Sequence, residues 1–277
     1  MITSLNQVLK IAEARKIAIG SFNTPNLESL QAILGAAEES NEPVIIMHAQ
    51  LHEDIGVCKI DEIGPLMVSM AEKSSAPVCV HLDHGTDIAY VKKALDIGFT
   101  SVMFDGSEGD EEENIANTAL IVEVASRFGA SVEGEVGSLG ARADGYGNHQ
   151  GESIYTDPLL AQRFVKETGI DALACAFGTV HGISSKKMML DYERITMIKD
   201  VVDVPLVMHG ASGLTEDELK ETIRRGIRKI NYYSNTSKVA AEAIAKKTYT
   251  QFHDVVKDAT EAIKEDVKEA IRIFAMK

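Results

Sequence analysis

Cysteine is scarce in this chain of 277 residues, which contains only Cys58, Cys79 and Cys175. Their number is odd and no two have the C-x-x-C spacing, so neither a disulfide framework nor a cysteine zinc site is favoured. Isolated cysteines of this kind are usually buried and behave as small apolar residues, as expected for a protein in a reducing compartment. A long apolar run is also lacking, and the amino-terminal segment carries charges where a signal peptide needs an uninterrupted apolar stretch. We therefore expect a cytoplasmic protein that has no membrane partner.

Basic residues are outnumbered, with 28 lysines and arginines against 42 aspartates and glutamates and a formal net charge of -14. Such a surface does not neutralise the phosphates of a polymer, which argues against nucleic acid as a partner. Any site for a small anion must therefore be local. The hydrophobic residues, 45% of the chain, can form a sizeable core, and no shift in composition marks a boundary. We expect a single domain over residues 1–277.

Short β-branched runs alternate with amphipathic segments along the whole chain. The runs occupy residues 16–20, 44–47, 78–82, 101–104, 131–135, 172–176, 205–208 and 228–230. The segments between them have helical spacing, as in residues 26–39, where Leu27, Leu30 and Leu34 recur on one face. About eight repeats of strand and helix, in a chain near the usual length of ~250 residues, predict an α/β fold, the (β/α)8 TIM barrel. A doubly wound open sheet is the competing interpretation.

Neither glycine nor proline follows Gly226, and after the eighth predicted strand the sequence is typical of helix. A stripe of apolar residues at helical spacing exceeds what the eighth barrel helix requires, which predicts an additional C-terminal helix. The stripe consists of Phe252, Val255, Val256, Ala259, Ile263, Val267 and Ile271. It either packs against the barrel wall or forms a contact between subunits, and we expect a homodimer or a homotetramer.

Three histidines stand where an apolar run ends in glycine: His84 in HLDHG, His181 in GTVHG and His209 in VMHGASG. In a closed barrel the C-terminal ends of distant strands meet, so these imidazoles can converge on one metal ion. Three imidazole ligands leave a fourth position open for water or substrate, as in catalytic zinc sites. A single histidine at a strand end is more typical of a hydrogen-bonded structural residue, which is our interpretation of His81. The other histidines are left unassigned: His48, His52, His149 and His253.

Carboxylates accompany these histidines. Asp83 adjoins His84, and a carboxylate close to a metal stays ionised and can move a proton on a bound substrate. Strict alternation would send Asp83 and His84 to opposite faces of the strand, so the alternation must break where the strand ends. Asp105 and Glu135 follow the fourth and fifth predicted strands, where they either bind a second cation or accept hydrogen bonds from helix ends and loop N–H groups.

Two segments are typical of phosphate binding. Residues 210–213 read GASG, and the backbone N–H groups of such small residues can approach an anion. Asn231 leads to Ser234 at the start of the eighth barrel helix, and phosphate commonly binds after strands seven and eight of a barrel. Alternatively, Ser234 and Thr215 are ordinary helix N-caps. Lys186 either adds a positive charge to this binding site or is a solvated surface lysine.

Taken together, the motifs SFNTPN, HLDHG, VEGEVG, GTVHG, VMHGASG and KINYYS, in this order, resemble those of the class II, zinc-dependent ketose-bisphosphate aldolases. The resemblance is to the fructose- and tagatose-bisphosphate branch and covers essentially the whole chain. It implies a (β/α)8 barrel in which His84, His181 and His209 hold Zn2+. It further implies that Asp83 and Asn231 belong to the catalytic centre, with Asp83 as the acid/base.

The resemblance also implies a set of residues around the dihydroxyacetone-phosphate half of the substrate. They are Asn23, Gly182, Gly210, Ala211, Ser212, Asn231, Tyr232, Tyr233 and Ser234. Asp105 and Glu135 match positions that can take a second divalent cation in the family. A monovalent cation, Na+ or K+, is expected near the phosphate by the same resemblance.

Two segments depart from the family pattern. The loop after the fifth strand usually reads LGGxED, but residues 139–144 read LGARAD, so Ala143 replaces a glutamate thought to move the proton next to the ketone. Asp144 or Glu152 can substitute for that glutamate as the loop acid/base. Residues 47–52, MHAQLH, replace a segment that is often rich in serine and glycine. We therefore expect the aldehyde half of the substrate to be unusual.

The activity implied by the resemblance is the reversible cleavage of a ketose 1,6-bisphosphate, fructose or tagatose bisphosphate, to dihydroxyacetone phosphate and an aldehyde. Three alternatives stay open: an aldolase for a modified ketose phosphate, a zinc hydrolase on the same barrel, and a non-catalytic barrel subunit. A hydrolase would not need the two phosphate-binding segments. A non-catalytic subunit would not need three metal-binding histidines beside Asp83.

Overall fold

The computed structural model of the protein describes residues 1–137, 155–180, 182 and 189–277. Nine strands, all parallel, form the sheet in this part of the chain. They are β1 (Ile2–Thr3), β2 (Ile19–Asn23), β3 (Val44–Ala49), β4 (Val78–Gly85), β5 (Ser101–Phe104), β6 (Ser131–Val136), β7 (Ala172–Cys175), β8 (Leu206–Met208) and β9 (Ile227–Tyr232). Strands β2 to β9 pair in chain order and β9 pairs with β2, so the eight strands close into a barrel. The predicted TIM barrel is confirmed, and the open sheet is wrong.

Helices separate the strands and surround the barrel. They are α1 (Leu5–Arg15), α2 (Leu27–Ser40), α3 (Gln50–Asp54), α4 (Ile60–Lys73), α5 (Ile88–Ile97), α6 (Glu111–Ser126), α7 (Pro158–Thr168), α8 (Tyr192–Val201), α9 (Glu216–Arg225), α10 (Ser234–Ala245) and α11 (Phe252–Phe274). No helix in the described ranges is long and apolar enough to cross a bilayer. The additional C-terminal helix is present as α11.

The first barrel strand begins later than the predicted range of residues 16–20, because α1 occupies the preceding residues. A capping box between Ser4 and Gln7 starts α1, and Lys16 ends it in a left-handed conformation with φ 54°. The sequence analysis therefore missed a helix that lies between the N-cap Ser4 and the C-cap Lys16. The short strand β1 was missed as well, and Ile2 pairs there with Val78 of β4.

Helix α1 covers the N-terminal end of the barrel interior. Its buried residues Leu5, Val8 and Leu9 belong to one apolar cluster with Ile45 and Cys79 of the barrel strands. Period-two alternation continues these inward-facing positions towards the C-terminal ends of the strands, where they become polar. The polar side chains are Asn23, His81, Asp83, Glu133, Glu135, Lys229 and Asn231. The fold thus combines an apolar floor with a polar layer at the end where TIM barrels place their active sites.

Helix α11 packs on the barrel through the second half of its apolar stripe. Ile263, Val267 and Ile271 are buried, whereas Phe252 at the start of the helix is 79% exposed. Phe274 at the end of the helix is 1% exposed and contacts two barrel aromatics, with ring centroids 6.5 Å from Phe22 and 6.0 Å from Tyr232. The interpretation of the stripe as a face on the barrel wall is therefore confirmed for its second half.

We predict that Phe274→Ala lowers the free energy of unfolding by about 3–5 kcal/mol, because it removes a fully packed ring and leaves a cavity. Urea denaturation followed by circular dichroism measures this difference. The matched control is Phe252→Ala on the same helix, which should change stability by no more than about 0.5 kcal/mol since that ring is exposed. Equal losses in the two variants would contradict the assignment of Phe274 as the anchor.

Candidate active site

The end of β4 turns two neighbouring side chains towards the same place. His84 has a positive φ of 48°, and the pairing of β4 with β5 shifts register between Leu82 and Gly85. Gly85 is required there, because a Cβ on it would lie 2.8 Å from the carbonyl oxygen of Met103. The predicted break in alternation is confirmed, and as a result both Asp83 and His84 line one cavity.

Two imidazoles face each other at this cavity. His84 Nε2 and His209 Nδ1 are 3.0 Å apart, and the two rings are nearly perpendicular. An oxygen of Asp83 lies 3.9 Å from His84 Nε2, and one ligand atom from each of the three residues falls within 4.8 Å of the others. Two nitrogens bound to one tetrahedral Zn2+ at about 2.0–2.1 Å would be roughly 3.3 Å apart. The spacing of the two rings therefore fits a shared metal ion.

The outer nitrogens of both rings are held by carboxylates. His84 Nδ1 lies 2.6 Å from Asp105 Oδ2, and His209 Nε2 lies 2.9 Å from Glu133 Oε1. A carboxylate lies beside the outer nitrogen of each ring and can accept its N–H, and this leaves the nitrogen that faces the partner ring to bind a metal ion. This carboxylate–histidine arrangement is the usual support for imidazoles that bind metal.

The second pair of predicted carboxylates also reaches this place. Glu135 Oε2 is buried with no hydrogen-bond partner among the described residues, and it lies 3.9 Å from His84 Nδ1 and 3.8 Å from His209 Nδ1. His84, Asp105 and Glu135 form a second group that could hold a metal ion. Asp105 also accepts hydrogen bonds from the N–H and hydroxyl of Ser107, so the alternative interpretation as a loop acceptor applies to it too.

Electrostatics at the imidazole pair favour positive charge. Burial lowers the pKa of His84, but the negative charges of Asp83 and Asp105 outweigh burial and raise that pKa to about 10. Burial together with Asp105 raises the pKa of Glu135 well above its usual value. Burial would also raise the pKa of Asp83, but nearby positive groups, His84 first, hold it below its usual range. The donor set and the negative potential fit a divalent cation next to an ionised aspartate.

Two residues that the sequence reasoning missed connect this pair to Asp83. Glu133 and Lys229 are fully buried, and Lys229 Nζ lies 2.9 Å from Glu133 Oε2. Lys229 also donates to Asn231 Oδ1 at 2.7 Å, and Asn231 Nδ2 donates to Asp83 Oδ1 at 2.9 Å. We call this chain of contacts, from His209 through Glu133, Lys229 and Asn231 to Asp83, the interior network. One sequence signal could have identified Glu133 and Lys229. Side chains alternate between the two faces of a strand, which places Glu133 with Glu135, and Lys229 with Asn231, on the inner face of the barrel.

Asp83 is held from a second side as well. Asn23 Nδ2 donates to Asp83 Oδ2 at 3.1 Å, so each carboxylate oxygen has an amide donor. His81 sits deeper in the barrel, where its Nδ1 lies 2.8 Å from Ser101 Oγ and burial lowers its pKa to about 3. A neutral, hydrogen-bonded His81 agrees with the structural interpretation given to it above.

A cavity of about 290 Å³ opens over this layer. Most of the residues predicted to bind substrate line it: Asn23, Gly182, Gly210, Ser212, Asn231, Tyr232, Tyr233 and Ser234, together with Asp83 and His84. Ala211 does not, because it is buried in the apolar core. Ala49, Leu51 and His52 complete the described lining. They belong to residues 47–52, the segment that the sequence analysis connected with the aldehyde half without assigning a role to any one residue.

The glycine and helix termini at one side of the cavity leave backbone groups accessible. Gly210 has φ 69°, and a Cβ on it would lie 2.4 Å from the carbonyl oxygen of Val180. The N-cap of α10 is Tyr233, whose side chain makes no capping hydrogen bond, so Ser234 is the first helical residue rather than an N-cap. Thr215, in contrast, caps α9 in a capping box with Glu218, as the alternative interpretation predicted.

Several predicted residues lie outside the described ranges. They are His181, Lys186, Ala143, Asp144, His149 and Glu152. The close approach of Val180 to Gly210 nevertheless places the residue before His181 beside the end of β8.

Comparison with known proteins gives a consistent family. The sequence model of the family described as fructose-bisphosphate aldolase class-II matches residues 3–277. A 6-phospho-5-dehydro-2-deoxy-D-gluconate aldolase of Halalkalibacterium halodurans is 39% identical over 283 residues, covering 99% of this chain and 96% of the relative. The uncharacterized protein YdjI of Escherichia coli is 36% identical over 263 residues, or 95% of this chain and 94% of the relative. The crystal structure of the YdjI aldolase superposes with a TM-score of 0.89 at 34% identity, over 99% of this chain and 97% of that one.

We predict that Lys229→Met lowers the free energy of unfolding by about 3–5 kcal/mol, because it leaves the Glu133 carboxylate buried without its cation. Urea denaturation measures the change. Lys238→Met serves as the control, since Lys238 and Glu242 form an exposed pair at 3.7 Å, and that variant should lose less than about 0.5 kcal/mol. A Lys229→Met protein as stable as the control would show that the buried pair does not support the fold.

Proposed function

The chain belongs to the class-II fructose-bisphosphate aldolase family, and from that premise we propose that it reversibly cleaves a phosphorylated ketose to dihydroxyacetone phosphate and an aldehyde. The family consists of metal-dependent lyases that act on phosphorylated sugars. The observation that carries the proposal is the facing pair His84 and His209, supported by carboxylates and adjacent to an ionised Asp83.

We assign the metal to His84 Nε2 and His209 Nδ1, with His181 as the third ligand by resemblance. Zn2+ is the ion that this ligand set suits. When bound, the cation would polarise the ketone carbonyl and stabilise the negative charge that develops as the carbon–carbon bond breaks. Asp105 and Glu135 are proposed to hold a second divalent cation, and a monovalent cation near the phosphate remains a prediction.

Asp83 is the proposed acid/base. Its carboxylate is held by Asn23 on one oxygen and by Asn231 on the other, so it cannot rotate freely, and it is ionised before it accepts a proton from the substrate. In the cleavage direction Asp83 takes the proton from the hydroxyl on the carbon that becomes the aldehyde, and it returns that proton in condensation. Asn231 orients this carboxylate. Asp144 stays our candidate for the proton on the carbon next to the ketone.

The phosphate of the dihydroxyacetone half is assigned to the side of the cavity formed by the ends of β8 and β9. Gly210, Ser212 and Ser234 offer small side chains, hydroxyls and backbone N–H groups there. The N-terminus of α10, with no side-chain cap from Tyr233, adds the positive end of a helix dipole. Ala211 and Lys186 belong to the same proposed binding set by sequence.

These assignments do not identify the aldehyde half of the substrate. The resemblance favours fructose or tagatose bisphosphate, whereas the relative from Halalkalibacterium halodurans acts on 6-phospho-5-dehydro-2-deoxy-D-gluconate. That name describes a keto acid with one phosphate, so a modified ketose phosphate is the second candidate. The hydrolase and the non-catalytic subunit are less well supported, because family membership, the phosphate side and Asp83 agree with an aldolase. A cytoplasmic location and a homodimer or homotetramer remain expectations from the sequence.

A coupled assay for dihydroxyacetone phosphate release tests this function over a panel of ketose monophosphates and bisphosphates, including both candidates. We expect turnover of at least one of them, its loss after treatment with EDTA, and its recovery on addition of Zn2+. Elemental analysis of the purified protein gives the metal content. Turnover that EDTA does not reduce, in a protein in which elemental analysis finds no metal, would overturn the assignment.

We predict that Asp83→Ala reduces kcat by at least roughly 10²- to 10⁴-fold while the protein still binds Zn2+, because the imidazole ligands remain. Steady-state kinetics and metal analysis of the same preparation separate the two effects. Asp61→Ala, a change at an exposed aspartate, should keep the kcat of the unaltered protein. Retained turnover in the Asp83 variant would remove it from the acid/base role.

A further inference from the structure

The lining of the cavity divides into sides according to strand order. The residues at the ends of β8 and β9 and at the start of α10 supply the proposed phosphate side, and β4 supplies Asp83 and His84. The remaining side is contributed by β2, β3 and α3, and apart from Asn23, which bonds Asp83, it has no role in those assignments. We call it the distal wall, and it consists of Asn23, Ala49, Leu51 and His52.

The distal wall borders the oxygen of Asp83 that faces away from the interior network. Asp83 Oδ1 is bonded by Asn231, whereas Oδ2 is bonded by Asn23 of the distal wall. His52 is near enough to Asp83 for the carboxylate charge to influence the imidazole. When Asp83 takes the proton from the hydroxyl on the aldehyde-forming carbon, the rest of the aldehyde half extends towards this wall. The inference therefore rests on the proposed function.

His52 is the polar side chain on the wall for which the described residues provide no hydrogen-bond partner. It is 6% exposed, and its Nδ1 is buried with no hydrogen-bond partner within the described ranges. Its ring centroid lies 5.0 Å from that of Tyr233, and its carbonyl oxygen accepts the N–H groups of Val57 and Cys58 at 2.8 and 3.2 Å. His48, four residues earlier in β3, differs because its Nε2 is paired with Tyr90 at 2.9 Å and it does not line the cavity.

A well-positioned imidazole without a partner is a costly arrangement unless a ligand provides one. An unsatisfied buried polar group costs about 1–3 kcal/mol. Burial, opposed by the charge of Asp83, holds the pKa of His52 below its usual value, so the ring is neutral near pH 7. A neutral imidazole offers one donor and one acceptor, which matches a hydroxyl group.

The charge of the cavity lining also favours a hydroxylated, uncharged group next to His52. No lysine or arginine is found among the described residues that line the cavity. A phosphate at the aldehyde end would have to lose water next to Asp83 and a neutral imidazole, without a cation in the described wall to compensate. A hydroxylated, uncharged group meets no such penalty.

We propose that His52 is a specificity-determining residue that hydrogen-bonds a hydroxyl of the aldehyde half, and that the preferred aldehyde is hydroxylated and carries no phosphate. The substrate in the cleavage direction is then a ketose monophosphate whose phosphate lies on the dihydroxyacetone half. This choice falls within the modified ketose phosphates that the proposed function leaves open. It excludes fructose and tagatose bisphosphate, whose aldehyde half carries a phosphate, and 6-phospho-5-dehydro-2-deoxy-D-gluconate, whose aldehyde half carries a carboxylate and no hydroxyl.

Condensation of dihydroxyacetone phosphate with three aldehydes of equal carbon number tests the proposal. Glyceraldehyde, propionaldehyde and glyceraldehyde 3-phosphate differ in their hydroxyl groups and in one phosphate. We expect the unaltered protein to show its highest kcat/KM with glyceraldehyde. His52→Phe, which keeps a ring against Tyr233, should reduce the preference for glyceraldehyde over propionaldehyde by roughly 3- to 10-fold, the effect of one neutral hydrogen bond.

The control is His253→Phe, the same change at an exposed residue of α11, which should leave the preference unchanged. His52→Leu also removes both ring nitrogens and repeats the measurement should the phenylalanine variant fail to fold. An unchanged preference in the folded His52 variant, or a higher kcat/KM of the unaltered protein for glyceraldehyde 3-phosphate than for glyceraldehyde, would overturn the proposal.

A reaction that needs no aldehyde separates this proposal from the proposed function. Exchange of a carbon-bound proton of dihydroxyacetone phosphate with D2O, followed by NMR, reports on the ketose half alone. We expect equal exchange rates in the unaltered protein and in His52→Phe. Absence of both exchange and ketose cleavage in the unaltered protein would refute the aldolase function itself, whereas normal exchange with unaltered aldehyde preference refutes only the role of His52.

Discussion

Glu133 and Lys229 face each other inside the barrel at 2.9 Å, and neither side chain has exposed surface. Each charge is tolerable in that position only because the other is there, since an unpaired buried ion is strongly unfavourable. Their remaining hydrogen-bonding atoms extend in opposite directions, to His209 from Glu133 and to Asn231 from Lys229. The orientation of the His209 imidazole and that of the Asn231 amide on Asp83 are thereby set by one ion pair.

The donor and acceptor roles in these hydrogen bonds also determine which atoms of Asn231 face Asp83. Because the Lys229 ammonium is only a donor, it must meet the Asn231 oxygen, and the Asn231 NH2 group is then the part that faces Asp83. A carboxylate that receives amide hydrogens on both oxygens is stabilised in its ionised form. The ion pair thus acts on the proton chemistry of Asp83 without touching it.

Sequence reasoning found the groups whose function is marked locally and missed those defined by a partner across the barrel. His84 and His209 were recognised because each ends an apolar run before glycine. Glu133 and Lys229 carry no such mark, and only barrel closure reveals that the side chains of β6 and β9 meet. The misplaced first strand has a similar origin, since the end of α1 at Lys16 depends on a left-handed cap. His52 was unassigned because its place beside Tyr233 is a tertiary contact.

The interior network and the distal wall occupy different parts of the site. The interior network joins β4, β6, β9 and the end of β8, and its ion pair of Glu133 and Lys229 is fully buried, so a change in that pair affects both the fold and the position of Asp83. The distal wall is built from the ends of β2 and β3 and from the short helix α3, and His52 has no hydrogen bond to the network. Under the proposed function, substitutions at residues 49–52 would therefore alter which aldehyde fits while the imidazole pair and Asp83 keep their geometry. Such a barrel would change substrate within one reaction class, because the distal wall is separate from the imidazole pair and Asp83.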